Sequence, residues 1–215
     1  MSETKSYSPG EEIANSVTHG LGLLLAVAAL VVLVVGAARL GDPWRVASFS
    51  FYGASLVALY LASTLYHAVP GVRAKAWLKR CDHAAIFALI AGTYTPIMLV
   101  TLRGPLGWTM AGIVWVIMAA GIAMKFLFIQ RFQRLLLGAY VAMGWIVVFV
   151  MHPLWQRLPG AALGWLIAGG VVYTAGVAFY VRKSLPYGHA IWHLFVLGGS
   201  ACHFFFFYLH VLPGQ

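Results

Sequence analysis

Charge is what this chain is short of. Only 9% of its 215 residues are charged, against about a quarter in an ordinary soluble domain, and that shortage excludes a soluble globular protein. Acidic residues are the scarcest: five Asp and Glu in all, with none beyond Asp82. Two cysteines, Cys81 and Cys202, do not make a disulfide framework, and their expected positions at different membrane depths argue against a bridge. The stretch Met1 to Glu12 lacks the basic start and small-residue cleavage site of a signal peptide, so the first apolar run is expected to be retained. Internal repeats and low-complexity tracts are also missing.

Apolar residues fill the chain instead, at 62%. They fall in runs of roughly twenty, long enough to cross a bilayer as helices and too long for barrel strands. The sequence therefore predicts an all-α, polytopic membrane protein: a single seven-transmembrane helix bundle over residues 1–215, with 1–14 as a short N-terminal segment. The expected spans are 17–38, 46–66, 82–102, 106–126, 134–152, 161–181 and 189–211, separated by Pro and Gly turn signals such as Asp42-Pro43, Gly104-Pro105 and Pro159-Gly160. Pro96, in Gly92-Thr-Tyr-Thr-Pro96, is expected to kink the third span, with threonine hydroxyls partnering the freed carbonyl. Phe204 to Phe207, Trp44, Trp108 and Trp155 read as lipid-facing or interfacial aromatics.

Basic residues set the orientation. Ten Lys and Arg fall on the N-terminal side: Lys5, Arg73, Lys75, Lys79, Arg80, Lys125, Arg131, Arg134, Arg182 and Lys183. Four fall on the other: Arg39, Arg45, Arg103 and Arg157. The positive-inside rule then puts the N-terminus in the cytoplasm and the C-terminus outside. The formal net charge of +9 is accounted for by this asymmetry and by anionic lipid, so no nucleic-acid partner is inferred. The expected location is a bacterial inner (plasma) membrane.

Within this frame the polar residues converge. His67 ends the second span, Asp82 begins the third, and His189 and His193 open the seventh, all on the cytoplasmic side. Residues four apart on a helix share a face about 6 Å apart, so His189 and His193 can act together. Intramembrane ionisable groups are costly unless partnered and are function candidates by default. Asp82 is the one carboxylate among apolar helices, neutral histidines bring it no positive charge, and a divalent cation would. Imidazole suits Zn²⁺, and three protein ligands plus water is the catalytic pattern. The metal ligands are therefore expected to be His67, His189 and His193. Asp82 can be a fourth ligand, or can hold the bound water and act as general base. Ser63, one turn before His67, either faces the site or only eases packing. Glu12, Asn15 and His19 recur at helical spacing and either support the site from behind or cap the helix and meet headgroups. His83 points about 100° away from Asp82 and is expected at the surface or the interface. His203, about 20 Å from His189 along the helix, is too far to share the metal and reads as a core histidine.

The spans together with Ser63-x-x-x-His67, Asp82, His189-x-x-x-His193, Glu11-Glu-Ile-Ala-Asn-Ser-Val-Thr-His-Gly20 and Gly92-Thr-Tyr-Thr-Pro96 resemble the hemolysin III family. That family groups with the progestin and adipoQ receptors, the adiponectin receptors included, and the quoted motifs look like its bacterial branch. The resemblance covers essentially the whole chain. It implies a zinc held by His67, His189 and His193, Asp82 near the zinc-bound water, and a lipid-related role. Amide hydrolysis of ceramide is associated with the adiponectin receptors and the similar alkaline ceramidases. This chain lacks the long N-terminal domain of the animal receptors, so no hormone-receptor role is carried over. The function expected is a zinc-dependent hydrolase of a lipid amide or ester in membrane lipid homeostasis, with a membrane lipid as substrate or ligand. The alternatives are a non-enzymatic lipid sensor with structural zinc, and an ion or proton pathway through the histidines and Asp82.

Overall fold

A computed structural model describes residues 7–128 and 131–213. Among these, seven helices are long and apolar enough to cross a membrane: Pro9–Arg39, Pro43–Ala68, Val72–Thr101, Pro105–Phe128, Gln133–Trp155, Gly160–Val181 and Gly188–Val211. No strand occurs among the described residues. The all-α, seven-span architecture read from the hydrophobic runs therefore holds.

Two spans, the first and the third, begin well before the hydrophobic runs indicate. Ser8 caps the first: its hydroxyl accepts from the Glu11 N–H at 3.2 Å and the Glu11 carboxylate accepts from the Ser8 N–H at 2.9 Å. Pro9 follows at the first helical position, where its missing N–H costs nothing. This starts the helix eight residues before position 17, within the stretch read as a terminal segment, and places Glu11, Glu12 and Asn15 on a helical face. The third span starts at Val72, after Gly71 at φ +102°, instead of at Asp82. Arg73, Lys75, Lys79 and Arg80 thus ride on helix, not loop. Hydropathy marks where a helix is apolar; the hydrogen-bond ladder continues past that boundary wherever the extra turns are solvated.

The first span buries Glu11, Asn15, His19, Gly22, Ala26, Ala29, Leu33 and Ala37. The spacing of three and four is one helical stripe, polar at the N-terminal end and small farther in. Small residues let the second and seventh helices approach. A Cβ on Gly22 would stand 2.6 Å from the Tyr60 ring, and one on Gly53 would stand 2.8 Å from Leu30 Cβ and 3.0 Å from its Cα. Gly92 lets the third span close on the second, since a Cβ there would meet Ser55 Oγ at 2.1 Å.

After Pro96 the third span widens into a π turn, Ile97–Thr101. The threonine hydroxyls do not take the role expected of them. Thr93 donates to the Leu89 carbonyl and Thr95 to the Ala91 carbonyl, each at 2.8 Å, whereas the carbonyl freed by Pro96 is that of Gly92, four residues back. The fifth span breaks more severely: an α-helix to Gly144, a 3₁₀ stretch Ile146–Val150, then a last α-helical segment Met151–Trp155. Pro153 cannot donate to Phe149 and crowds its carbonyl, which explains the tightening. Tyr94, from the third span, repairs the break. Its hydroxyl donates to the Gly144 carbonyl at 2.8 Å and accepts from the Val147 N–H at 2.7 Å.

Trp44, Trp108 and Trp155 are exposed, as their reading required. Phe206 and Phe207 are not: both are fully buried. Phe207 packs edge-on against Phe49 and Tyr52, because Phe206 and Phe207 follow His203 by three and four residues and continue the buried stripe of the seventh helix. Cys81 and Cys202 are both free.

Candidate metal centre

His67 sits in the last turn of the second span, and His189 and His193 occupy successive turns at the start of the seventh. One ligand atom from each lies within 4.8 Å of the others, with His67 and His193 buried and His189 half-buried. Their ring centroids are 4.5 to 5.4 Å apart. Three imidazoles from two helices therefore face one point, and they can hold a metal ion.

The first helix decides which nitrogens face that point. His67 Nδ1 is 2.6 Å from Glu12 Oε2, so its N–H donates to the carboxylate; Asn15 Nδ2 stands farther off, at 3.4 Å. The other Glu12 oxygen accepts from Lys75 Nζ at 2.7 Å. His193 Nδ1 lies 3.2 Å from the Asn15 carbonyl, an acceptor only, and 3.1 Å from Thr18 Oγ1. Thr18 spends its own proton on the Ala14 carbonyl at 2.8 Å, which leaves its oxygen to accept. Both rings are thereby held as Nδ1–H tautomers, with the Nε2 lone pair turned inward. His67 Nε2 is buried with no hydrogen-bond partner among the described residues. A buried ring nitrogen without a partner is costly, and a cation at the shared point would satisfy it. The donor set fits such an ion.

Glu12, Asn15 and His19, left between two readings by the sequence, all touch the site. His19 stacks on His193 with centroids 3.4 Å apart and meets the Tyr60 ring edge-on at 4.9 Å. Thr18 and Lys75 went unanticipated; Thr18 follows Asn15 by three residues on the same polar stripe, which was the available signal.

Asp82 is buried and lines one cavity with His189 and His193, but it stands outside the 4.8 Å group formed by the three imidazoles. Ser63 is fully buried, and its hydroxyl lies within electrostatic reach of the Asp82 carboxyl without meeting hydrogen-bond geometry. The carboxylate is not the uncompensated charge that its isolation in the sequence implied. Asp82 does have cations in reach, Lys125 and Lys79. Lys125 is buried at the end of the fourth span, its ammonium 5.2 Å from the centre of the Tyr140 ring. A lysine on a distant helix carries no spacing signal toward Asp82, so only packing reveals it. The case for a metal thus rests on the imidazole geometry, not on an otherwise uncompensated carboxylate.

The cavity is about 160 Å³ and runs from Asp82 and His189 to His203, walled mainly by apolar side chains of the third, fifth, sixth and seventh spans. His83, expected at the surface or the interface, is half-buried and lines it, and its carbonyl accepts from Tyr140 at 2.7 Å. His203 is a buried core histidine as expected, its Nε2 3.4 Å from the Leu166 carbonyl. Gly169 makes room for it, since a Cβ there would lie 2.4 Å from the imidazole. Between His19 and His203, Ser200 is bonded at 2.8 Å by Tyr60 and by Tyr173, polar rungs that the sequence alone did not connect.

A family model described as "Haemolysin-III related" matches residues 7–204. The chain is 45% identical to hemolysin-3 of Bacillus cereus, over 94% of this chain and 93% of that protein. It is 47% identical to the hemolysin-3 homolog of Bacillus subtilis (strain 168), over 91% and 92%. More distantly, it is 30% identical to the human monocyte to macrophage differentiation factor, over 91% of this chain and 82% of that protein.

Proposed function

The chain belongs to the hemolysin III family, and from that premise we propose that it is a zinc-dependent hydrolase of a lipid amide or ester, embedded in the bacterial inner (plasma) membrane and acting in membrane lipid homeostasis. One observation carries the metal: His67 Nε2 is buried without a hydrogen-bond partner among the described residues and faces two further imidazoles, while its Nδ1 is held by Glu12. His67, His189 and His193 would be the ligands. A bound Zn²⁺ supplies Lewis acidity toward a carbonyl oxygen and lowers the pKa of water.

The chain's own groups supply the remainder. Glu12, Asn15 and Thr18 keep the Nδ1–H tautomers of His67 and His193 in place. Asp82 is the general base. Its carboxylate takes a proton from the attacking water as the new C–O bond forms, then returns it to the departing amine or alcohol as the C–N or C–O bond breaks. Ser63, beside Asp82, orients that carboxylate. The apolar cavity holds the lipid chains in water-poor surroundings.

A second reading has its own support. Glu12, Asn15 and Thr18 all belong to the first span and bond histidines of the second and seventh, so an ion here would also fasten three helices together. In that case the zinc is structural and the protein senses lipid without cleaving it. Asp82→Asn separates the two. It keeps the volume and cannot accept a proton. Purified Asp82→Asn protein should retain about one equivalent of zinc and the wild-type melting temperature. Its lipid-hydrolysing activity should fall by about 10² to 10⁴, measured by lipid analysis of membranes with and without the protein. Full activity with zinc in place would end the hydrolase mechanism; zinc loss together with activity would make Asp82 a ligand.

A further inference from the structure

Above the histidine layer the structure holds a second recess of about 70 Å³. Lys79 of the third span and Arg182 and Lys183, just past the sixth, line it together with Tyr66 and Tyr180. Its floor is shared with the apolar cavity, because His83, Tyr180 and His189 line both. Meeting at these three side chains, the two recesses together present an amphipathic surface. Its apolar arm follows the seventh span from His189 to His203, about 20 Å along the helix, and its basic mouth opens on the face that the charge asymmetry assigns to the cytoplasm.

The positive-inside rule accounts for basic residues at this face, but not for their convergence on a recess. Lys79 is half-buried, and it and Lys183 are close enough to repel. Nearby carboxylates are engaged elsewhere. Glu12 bonds Lys75 and His67, and Glu11 bonds Ser8 and the backbone N–H of Tyr187. Among the described residues, Asp82, below the floor, is the carboxylate whose charge reaches Lys79, and it shares that attraction with Lys125. Among the described residues no carboxylate pairs with Lys79, Arg182 or Lys183. Three cations around a concave site, Lys79 half-buried and Arg182 and Lys183 exposed, focus a positive potential into it, and like charges held together in this way are relieved by a bound anion.

We infer that this vestibule binds the anionic headgroup, a phosphate or carboxylate, of a lipid whose chain lies in the apolar cavity. The assignment rests on the lipid-hydrolase reading and sharpens it: the bond presented to His189 and Asp82 is the one joining an acyl chain to an acidic head. A neutral head gains nothing from the three cations, and an amine head, such as a sphingoid base, is repelled.

The test uses the full chain in neutral-lipid nanodiscs and ether-linked probes that have no acyl bond to cleave. These are a 1-alkylglycerol 3-phosphate, the 1-alkylglycerol of the same chain, sphingosine, and inorganic phosphate alone. The phosphate-bearing lipid should bind about 10- to 100-fold tighter than the alkylglycerol, the range of one or two charge-assisted hydrogen bonds. Inorganic phosphate should bind far more weakly, since it leaves the apolar arm empty. The double variant Lys79→Gln/Lys183→Gln should bring the two lipids within about threefold while leaving alkylglycerol binding unchanged, which also reports an intact fold. Lys79→Arg/Lys183→Arg should keep the preference, and Arg73→Gln, exposed outside the recess, should not alter it. Equal binding of the two lipids, a preference for sphingosine, phosphate binding as tight as the lipid's, or a preference indifferent to Lys79 and Lys183 would each overturn the assignment. The two readings fail separately. Loss of the anion preference with acyl hydrolysis intact removes the headgroup assignment alone, whereas an intact preference without hydrolysis removes the hydrolase and leaves the vestibule.

Discussion

The first, second, third and seventh helices are locked together; the fifth is held by its neighbours at few points. Glycines report the contrast directly. In the locked region an added methyl at Gly22, Gly53 or Gly92 would meet a neighbouring helix at under 3 Å, whereas at Gly138 and Gly144 of the fifth helix it would meet nothing within 4 Å. The locked region carries the three imidazoles and everything that orients them. The loose helix walls the apolar cavity and is tied across it by the hydroxyl of Tyr94 and by the bond from Trp145 Nε1 to Thr174 Oγ1 at 3.0 Å. The three imidazoles thus stand among helices that fix their rotamers, whereas the apolar cavity is walled in part by the helix that is held least.

The contrast can be broken from either side. Gly53→Val should have the largest effect, because the methyls would press on Leu30 Cα as well as its side chain and backbone does not move aside. Overpacking costs typically about 1–3 kcal/mol and occasionally more. Thermal unfolding in detergent should show a marked fall in melting temperature, with metal content falling in parallel; an unchanged melting curve would mean that the first and second helices are not locked. Next comes Glu12→Gln, which should leave the fold intact while weakening zinc binding about 10- to 100-fold, the usual consequence of losing a group that orients a ligating histidine. A competition titration against a chelator reads this, and wild-type affinity would show that Glu12 does not position His67.

Tyr94→Phe acts on the loose side. It strips the Val147 N–H and the Gly144 carbonyl of their shared partner, at a cost of about 1–3 kcal/mol for a buried group left unsatisfied. Hydrogen exchange should rise locally at residues 144–150 while zinc content stays near wild type. A loss of metal in this variant would mean that the two regions are coupled. Gly138→Ala should have the smallest effect: with open space around it and alanine the better helix former, stability should stay within about 1 kcal/mol and shift upward if at all. A clear destabilisation there would show the fifth helix to be packed as tightly as the rest.

Much of the site was legible in the sequence because membrane helices turn spacing into geometry. His189 and His193, four apart, had to share a face, and Glu12, Asn15 and His19 recurred at helical spacing. Corrections came where a residue's neighbour is distant in sequence. Lys125 reaches Asp82 from the fourth helix. His83, turned about 100° from Asp82, lines the cavity because the third helix is covered on that side too. Phe206 and Phe207 continue the buried stripe of His203, and Phe207 meets Phe49 and Tyr52 of the second helix.

Composition and periodicity by themselves determined the all-helical class, the seven spans and the depth at which His67, Asp82, His189 and His193 meet. Bilayer thickness fixes the length of each apolar run, and helical rise converts position into depth. Tertiary structure alone decided which imidazole nitrogen faces inward, which cation stands near Asp82, and that a basic vestibule and an apolar cavity share a floor. Those facts depend on how helices rotate and pack against one another, and rotation is set by the sum of many small side-chain contacts that no single stretch of sequence contains.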